Sequence, residues 1–174
     1  MTYPDPVYFG DGEASAVLHG ADAPPDLGAP PGNHVDYLAR GADSTGAFGL
    51  YRWHMGPEPS GPGPHFHRTI SESFYVLSGS VLIYDGERWV KTSSGDFVHV
   101  PPGGVHGFRN ESGEPASMLL LFTPGAPRED YFETLFAGGT KGMTDEEQAA
   151  FYARHDNIWV QDVIRTVGHG PGLG

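Results

Sequence analysis

Glycine and proline punctuate this chain so densely that it must turn many corners. With 26 glycines and 16 prolines they hold 42 of the 174 positions, a share that suits an all-β protein. Punctuation is heaviest in GADAPPDLGAPPG (residues 20–32) and GPEPSGPGP (residues 56–64). Proline there fixes φ and removes backbone donors, so neither stretch continues a helix or a central strand. Between and after them come HVDYLAR, FGLYRWHM, VLIYDGERWV, FVHV, VHGFRN and ASMLLLF, runs of strand length rich in aromatic and branched residues. Several short strands with turn chemistry between them predict an antiparallel sandwich or barrel.

Within VLIYDGERWV the Asp85-Gly86 pair predicts a hairpin with a type I′ turn, which needs positive φ at both central residues. Helix is expected only late. REDYFETLF sets Tyr131 with Leu135, and Phe132 with Phe136, on shared helical faces. TDEEQAAFYARH opens with Thr144 and Glu147 in capping-box spacing. The final GHGPGLG has nothing to bury and is expected to be flexible.

At this length one domain can bury about 70% of its unfolded surface, and an apolar fraction of 38% is enough to fold it. Ten Lys and Arg face 22 Asp and Glu, a formal net charge of −12, which repels phosphate backbones and anionic lipid surfaces. Nucleic acid and membrane are therefore excluded as partners. With no cysteine, disulfides, thiolate metal sites and a cysteine nucleophile drop out, in keeping with a reducing cytoplasm. The opening residues lack the basic start and apolar run of a signal peptide, and no run of about 18 apolar residues occurs. The expectation is a soluble cytoplasmic protein, with enough strand and helix aromatics to form a homodimer.

The chemistry concentrates in PHFHRTISESFYVLSG, residues 64–79. Side chains alternate along a strand, so His65 and His67 share a face, while Glu72 on an unbroken strand would face away, about 16 Å off. A turn within RTIS is required for the three to meet, after which Glu72 shares an inward face with Phe74 and Val76. A fourth candidate, His106, follows Pro101-Pro102 and Gly103-Gly104 in GDFVHVPPGGVHGFRN, where the chain can reverse sharply. A His-x-His pair alone more often marks two polar surface positions. Three imidazoles and one carboxylate from separate strands instead make a nitrogen and oxygen set suited to one divalent Fe, Mn, Ni, Co, Cu or Zn ion.

The joint pattern resembles the cupin superfamily. Its first motif, G-x5-H-x-H-x3-4-E-x6-G, is met by His65, His67, Glu72 and Gly79, and its second, G-x5-P-x-G-x2-H-x3-N, by Gly95, Pro101, Gly103, His106 and Asn110. The leading glycine of the first motif would fall on Pro59, with Gly61 and Gly63 close by, which implies a rearranged entry loop. The resemblance runs from Val35 to about Thr123. It implies a cupin jelly-roll barrel of antiparallel strands over residues 33–125, with an N-terminal arm (1–32), two short C-terminal helices packed on the barrel (126–160) and a flexible tail (161–174). It further implies His65, His67, Glu72 and His106 as the ligands of the metal ion.

The run through TPGAPREDYFETL is similar to single-cupin quercetinase-like dioxygenases. That likeness implies a small phenolic or enolic substrate, dioxygen as its co-substrate, and Glu72 as the catalytic base. A metal-dependent cyclase, isomerase or lyase, or a cupin that binds a small molecule without turnover, stays open beside it. Phe74 and Phe108, by parity with a ligand, are expected in the substrate pocket ahead of Tyr37, Trp53 and Tyr75. His99 is expected to be structural, and His19, His54, His155 and His169 lack ligand spacing.

Overall fold

Eleven strands and two helices follow one another in the computed structural model, which describes residues 2–160. The expected tail, 161–174, lies outside the described residues. The strands are β1 (Leu27–Gly28), β2 (His34–Ala39), β3 (Gly49–Met55), β4 (His65–Phe66), β5 (Ser71–Ser78) and β6 (Ser80–Tyr84). They continue with β7 (Trp89–Ser93), β8 (Phe97–Val100), β9 (Gly107–Arg109), β10 (Ala116–Thr123) and, after the helices, β11 (Ile158–Trp159). Helix α1 spans Glu129–Phe136 and α2 Asp145–Arg154.

All strand pairs are antiparallel. One sheet runs β1-β2-β3-β10-β5-β8, a second β7-β6-β9, and β11 pairs with β4. The chain is thus an all-β jelly roll with two short helices. Its hydrogen bonding does not close into a continuous barrel among the described residues; the two larger sheets pack face to face instead. Phe108 of β9 meets both Trp53 of β3 and Phe74 of β5, with ring centroids 5.8 Å apart in each case.

Period-two patterning builds this core. On β10, Met118, Leu120 and Phe122 point inward and are buried, while Leu119 and Leu121 between them are only partly covered. Their partners across β5 are Val76, Phe74 and Glu72. Glu72 therefore stands on the inward face of the sheet, at the end of an apolar row, as the sequence leads one to expect. Tyr75 and Leu77 face outward.

The Asp85-Gly86 hairpin joins β6 to β7, but not through a type I′ turn. The connection is four residues long, and only Gly86 has positive φ, at 100°. The Asp85 carboxylate accepts from the Glu87 and Arg88 N–H groups, both at 2.9 Å. That side chain takes over satisfaction of the turn, so a second positive φ is unnecessary.

The entry loop before β4 makes a close approach to β9. Gly61 has φ of 127°, and a Cβ there would lie 2.1 Å from the Phe108 carbonyl oxygen, so only glycine permits this approach. Asn110, the last residue of the second motif, is buried and ties the loops together. Its amide donates to the carbonyls of Gly56 at 2.9 Å and Glu114 at 2.7 Å.

Helix α2 begins with the capping box, Thr144 Oγ1 accepting from the Glu147 N–H and the Glu147 carboxylate accepting from the Thr144 N–H. Helix α1 buries Tyr131 and Phe132. The Phe132 ring lies 5.1 Å from Trp53 and 5.8 Å from Tyr51, and Tyr51 donates its hydroxyl to Glu129 at 2.6 Å. The first helix is thereby fastened to β3. No helix among the described residues is long and apolar enough to cross a membrane.

Central and peripheral aromatics should separate by stability. Phe122→Ala empties a fully buried position and is expected to lower the unfolding free energy by about 3–5 kcal/mol. Phe97→Ala, on the exposed face of β8, should change it by no more than about 0.5 kcal/mol. Urea titration of both variants checks the assignment of the core, which fails if the two losses are equal.

Candidate metal centre

Backbone pairing brings the histidines together before any side chain is considered. The N–H of His65 donates to the carbonyl of His106 and the N–H of His106 to that of His65, both at 2.8 Å. The His67 carbonyl accepts from Gly103 at 2.7 Å, so the glycine-rich reversal is pinned beneath the His-x-His segment. Glu72 returns to them because residues 68–70 turn. The Arg68 and Thr69 N–H groups donate to the Asp156 carboxylate at 2.8–2.9 Å, and the Thr69 hydroxyl does so at 2.7 Å. One ligand atom from each of His65, His67, Glu72 and His106 then lies within 4.8 Å of the others, and all four residues are buried.

Each imidazole is oriented by a backbone carbonyl. His65 Nδ1 lies 2.9 Å from the Gly63 oxygen, His106 Nδ1 2.9 Å from that of Gly104, and His67 Nδ1 2.5 Å from that of Asp156. A carbonyl only accepts, so each Nδ1 carries its proton and each Nε2 is left with a lone pair. The Nε2 atoms of His67 and His106 stand 3.1 and 2.9 Å from Glu72 Oε2. Lone pairs facing a carboxylate oxygen require a cation between them, either a proton or a metal ion. The donor set therefore fits a metal ion, and this buried His-His-Glu-His group can bind one.

Electrostatics agree with that chemistry. Burial, helped by the neighbouring His106, pushes His65 down to about 3, so it is neutral at physiological pH. Burial alone would raise the Glu72 carboxyl, but its bonds with His106 and His67 outweigh that and hold it well below the usual range. For His106 burial acts downward, and the Glu72 carboxylate more than reverses it, lifting the imidazole above its ordinary value. A metal ion held between these atoms would compete with a proton for the same position.

A cavity of about 280 Å³ opens onto His65 and Glu72, with His67 and His106 behind them. Phe108 lines it. Phe74 does not; it lies behind the quartet, its ring centroid 5.9 Å from His106. Trp53 borders the cavity as well, whereas Tyr75 faces outward. His99 is exposed and bonds Ser73 Oγ through Nδ1 at 2.9 Å, away from the cavity.

The opposite wall comes from the segment after the jelly roll, which the sequence reading does not place in the site. Arg128, Tyr131, Tyr152, Asn157 and Trp159 all border the cavity, and the Trp159 ring lies 5.3 Å from His65. Asp156 was equally hidden, although it orients His67 and caps the 68–70 turn. Its available signal was an Asp-Asn pair just beyond a helix end, where Asp156 takes the left-handed conformation at φ 53°.

Residues 51–122 match a family model described as a cupin domain. The chain is 32% identical over 80 residues to quercetin 2,3-dioxygenase of Bacillus subtilis (strain 168), covering 46% of this chain and 23% of that protein. It is 37% identical over 68 residues to an uncharacterised protein of Aquifex aeolicus, covering 38% of this chain and 54% of the other. The matches thus span about half or less of either relative. Among solved structures, a predicted oxalate decarboxylase from Thermotoga maritima superposes with a TM-score of 0.54 at 21% identity, over 63% of this chain and 99% of that one. At that identity the likeness is one of fold.

The depressed His65 has a testable sign. Unfolding takes up a proton at this residue below its ordinary 6.5, so its share of stability is present above that value and lost as pH falls toward about 3. In metal-free protein, the stability advantage of the parent over His65→Gln should shrink by about 1.4 kcal/mol per pH unit between about pH 6 and pH 4. Urea unfolding across that range is the measurement, and parallel curves would contradict a neutral, buried His65.

Proposed function

We propose that this chain, which carries a cupin domain, is a mononuclear metal-dependent enzyme acting on a small phenolic or enolic molecule, with dioxygenase chemistry of the quercetinase-like type. The observation that carries the reading is the set of three Nδ1-anchored imidazoles converging with Glu72 at the floor of a largely aromatic cavity. The similarity to the Bacillus subtilis quercetin dioxygenase supports the choice of reaction.

His65, His67 and His106 would hold the ion through Nε2, and Glu72 through a carboxylate oxygen. The ion, when bound, supplies Lewis acidity toward a substrate oxygen and, if redox-active, electron exchange with dioxygen. Glu72 borders the cavity, so its carboxylate can also take the hydroxyl proton of a substrate bound there. Trp53, Phe108 and Leu120 face that position. They exclude water from the reacting oxygen and leave the carboxylate as its proton acceptor.

Two measurements test this. Elemental analysis of protein purified without added metal should find a first-row ion, and an oxygen electrode should record uptake with a phenolic or enolic substrate. Turnover without oxygen consumption would instead favour metal-assisted cyclisation, isomerisation or lyase chemistry at the same group.

Substitutions divide the roles. His106→Ala should lose metal while His99→Ala, whose ring faces away, retains it; equal losses would mean a misassigned ligand. Glu72→Gln keeps a carbonyl oxygen but cannot accept a proton. Compared at matched metal occupancy, its turnover should fall by about 10²- to 10⁴-fold. An unchanged rate would make Glu72 a ligand only.

A further inference from the structure

Arg128 is a buried cation with little to balance it. It is 4% exposed, and Nη1 donates to the His155 carbonyl at 2.5 Å. Its Nε has no partner among the described residues. Around the guanidinium stand aromatic faces, with Tyr131 at 4.3 Å, Phe132 at 5.3 Å and Phe122 at 5.4 Å from its carbon. Such faces offset only part of the desolvation of a full charge. Burial disfavours the charged guanidinium, and Glu72 is the largest influence opposing that. A divalent ion held by Glu72 would cancel that help, leaving two centres of positive charge on one cavity.

Asn157 stands on the same wall. It is 2% exposed, its Oδ1 accepts from the Tyr131 hydroxyl at 3.3 Å, and its Nδ2 has no acceptor among the described residues. Two residues of the C-terminal wall thus carry buried donors that lack acceptors among the described residues, whereas Trp53, Phe108 and Leu120 line the jelly-roll side. Buried donors of this kind are normally satisfied, and a guanidinium matches a carboxylate in planar, paired geometry.

We propose that the substrate is an organic anion whose carboxylate is received by Arg128, with Asn157 beside it, while its reacting oxygen faces His65 and Glu72. The proposal rests on the metal-site reading for the second contact but not for the first. It also reconciles a chain of net charge −12 with an anionic substrate. The positive potential is confined to the cavity, where low-dielectric walls focus it.

Benzoate and benzamide, of the same shape but different charge at about pH 8, are the probes, titrated calorimetrically into metal-loaded and chelator-stripped protein. The parent should bind benzoate about tenfold or more tightly than benzamide in both forms. Arg128→Met should bring that ratio close to one with metal content unchanged. Arg128→Lys, which keeps the charge but loses the planar fork, should give an intermediate ratio and guards against a methionine variant that fails to fold. Failure of the parent to prefer benzoate overturns the proposal, as does a preference that survives in folded Arg128→Met. A preference seen only with metal bound, and indifferent to Arg128, would place the anion on the ion and equally overturn it. Absence of metal on elemental analysis would sink the proposed enzyme reading while leaving the stripped-protein comparison decisive for Arg128.

Discussion

A carboxylate buried on the inward face of a jelly roll has to be matched by cations, and the arrangement around Glu72 follows from that need. Its neighbours along β5 are Phe74 and Val76, and across β10 it meets Phe122, none of which can solvate a charge. Compensation comes from the proton or metal ion that must lie between its Oε2 and the Nε2 atoms of His67 and His106, and those rings are themselves held by backbone carbonyls. Those carbonyls, and the one that holds His65, belong to Asp156, Gly104 and Gly63, in the loops and the helix end that flank the ligand strands. Disturbing any one would release an imidazole to rotate, which is how a structural change remote from Glu72 would reach the carboxylate.

The second dependency is on the segment that follows the last long strand. Without α1, α2 and β11 the quartet would lie at an open mouth; with them it sits at the floor of a cavity. Strand β11 pairs Trp159 with His65 and Ile158 with Phe66, so the wall is joined to the ligand strand by backbone hydrogen bonds as well as by packing. The aromatic chain from Trp53 through Phe132 to Tyr131 links β3 to the same wall. Shape and polarity of the cavity are therefore set by two parts of the sequence that are far apart.

How much of this was legible beforehand depended on how local its cause is. Strand alternation and the Thr144 capping box are decided by neighbours within a few residues, and both could be read. The position of Glu72 could be read because parity forces the turn. The turn type at Asp85-Gly86 was misjudged because a side-chain carboxylate did the work expected of backbone conformation. Phe74 shares parity with Glu72 yet stands behind the quartet, since parity gives the face and not the depth. Arg128, Asp156 and Asn157 were invisible because their roles arise from contacts across 26 to 89 positions of sequence, which no local pattern encodes.

The bond between the ring of His67 and the carbonyl of Asp156 also orders events in the making of the protein. All four quartet residues leave the ribosome before Asp156 does, so for that interval His67 has no fixed tautomer and Arg68 and Thr69 have no cap. An ion captured then would meet a loose, solvent-accessible set of side chains with little power to choose between metals. Selectivity and retention can arise only once the chain has been made through residue 159 and the wall has closed. The ions present in the cell at the moment of closure, as much as the geometry of the finished site, would then decide which one such a group holds.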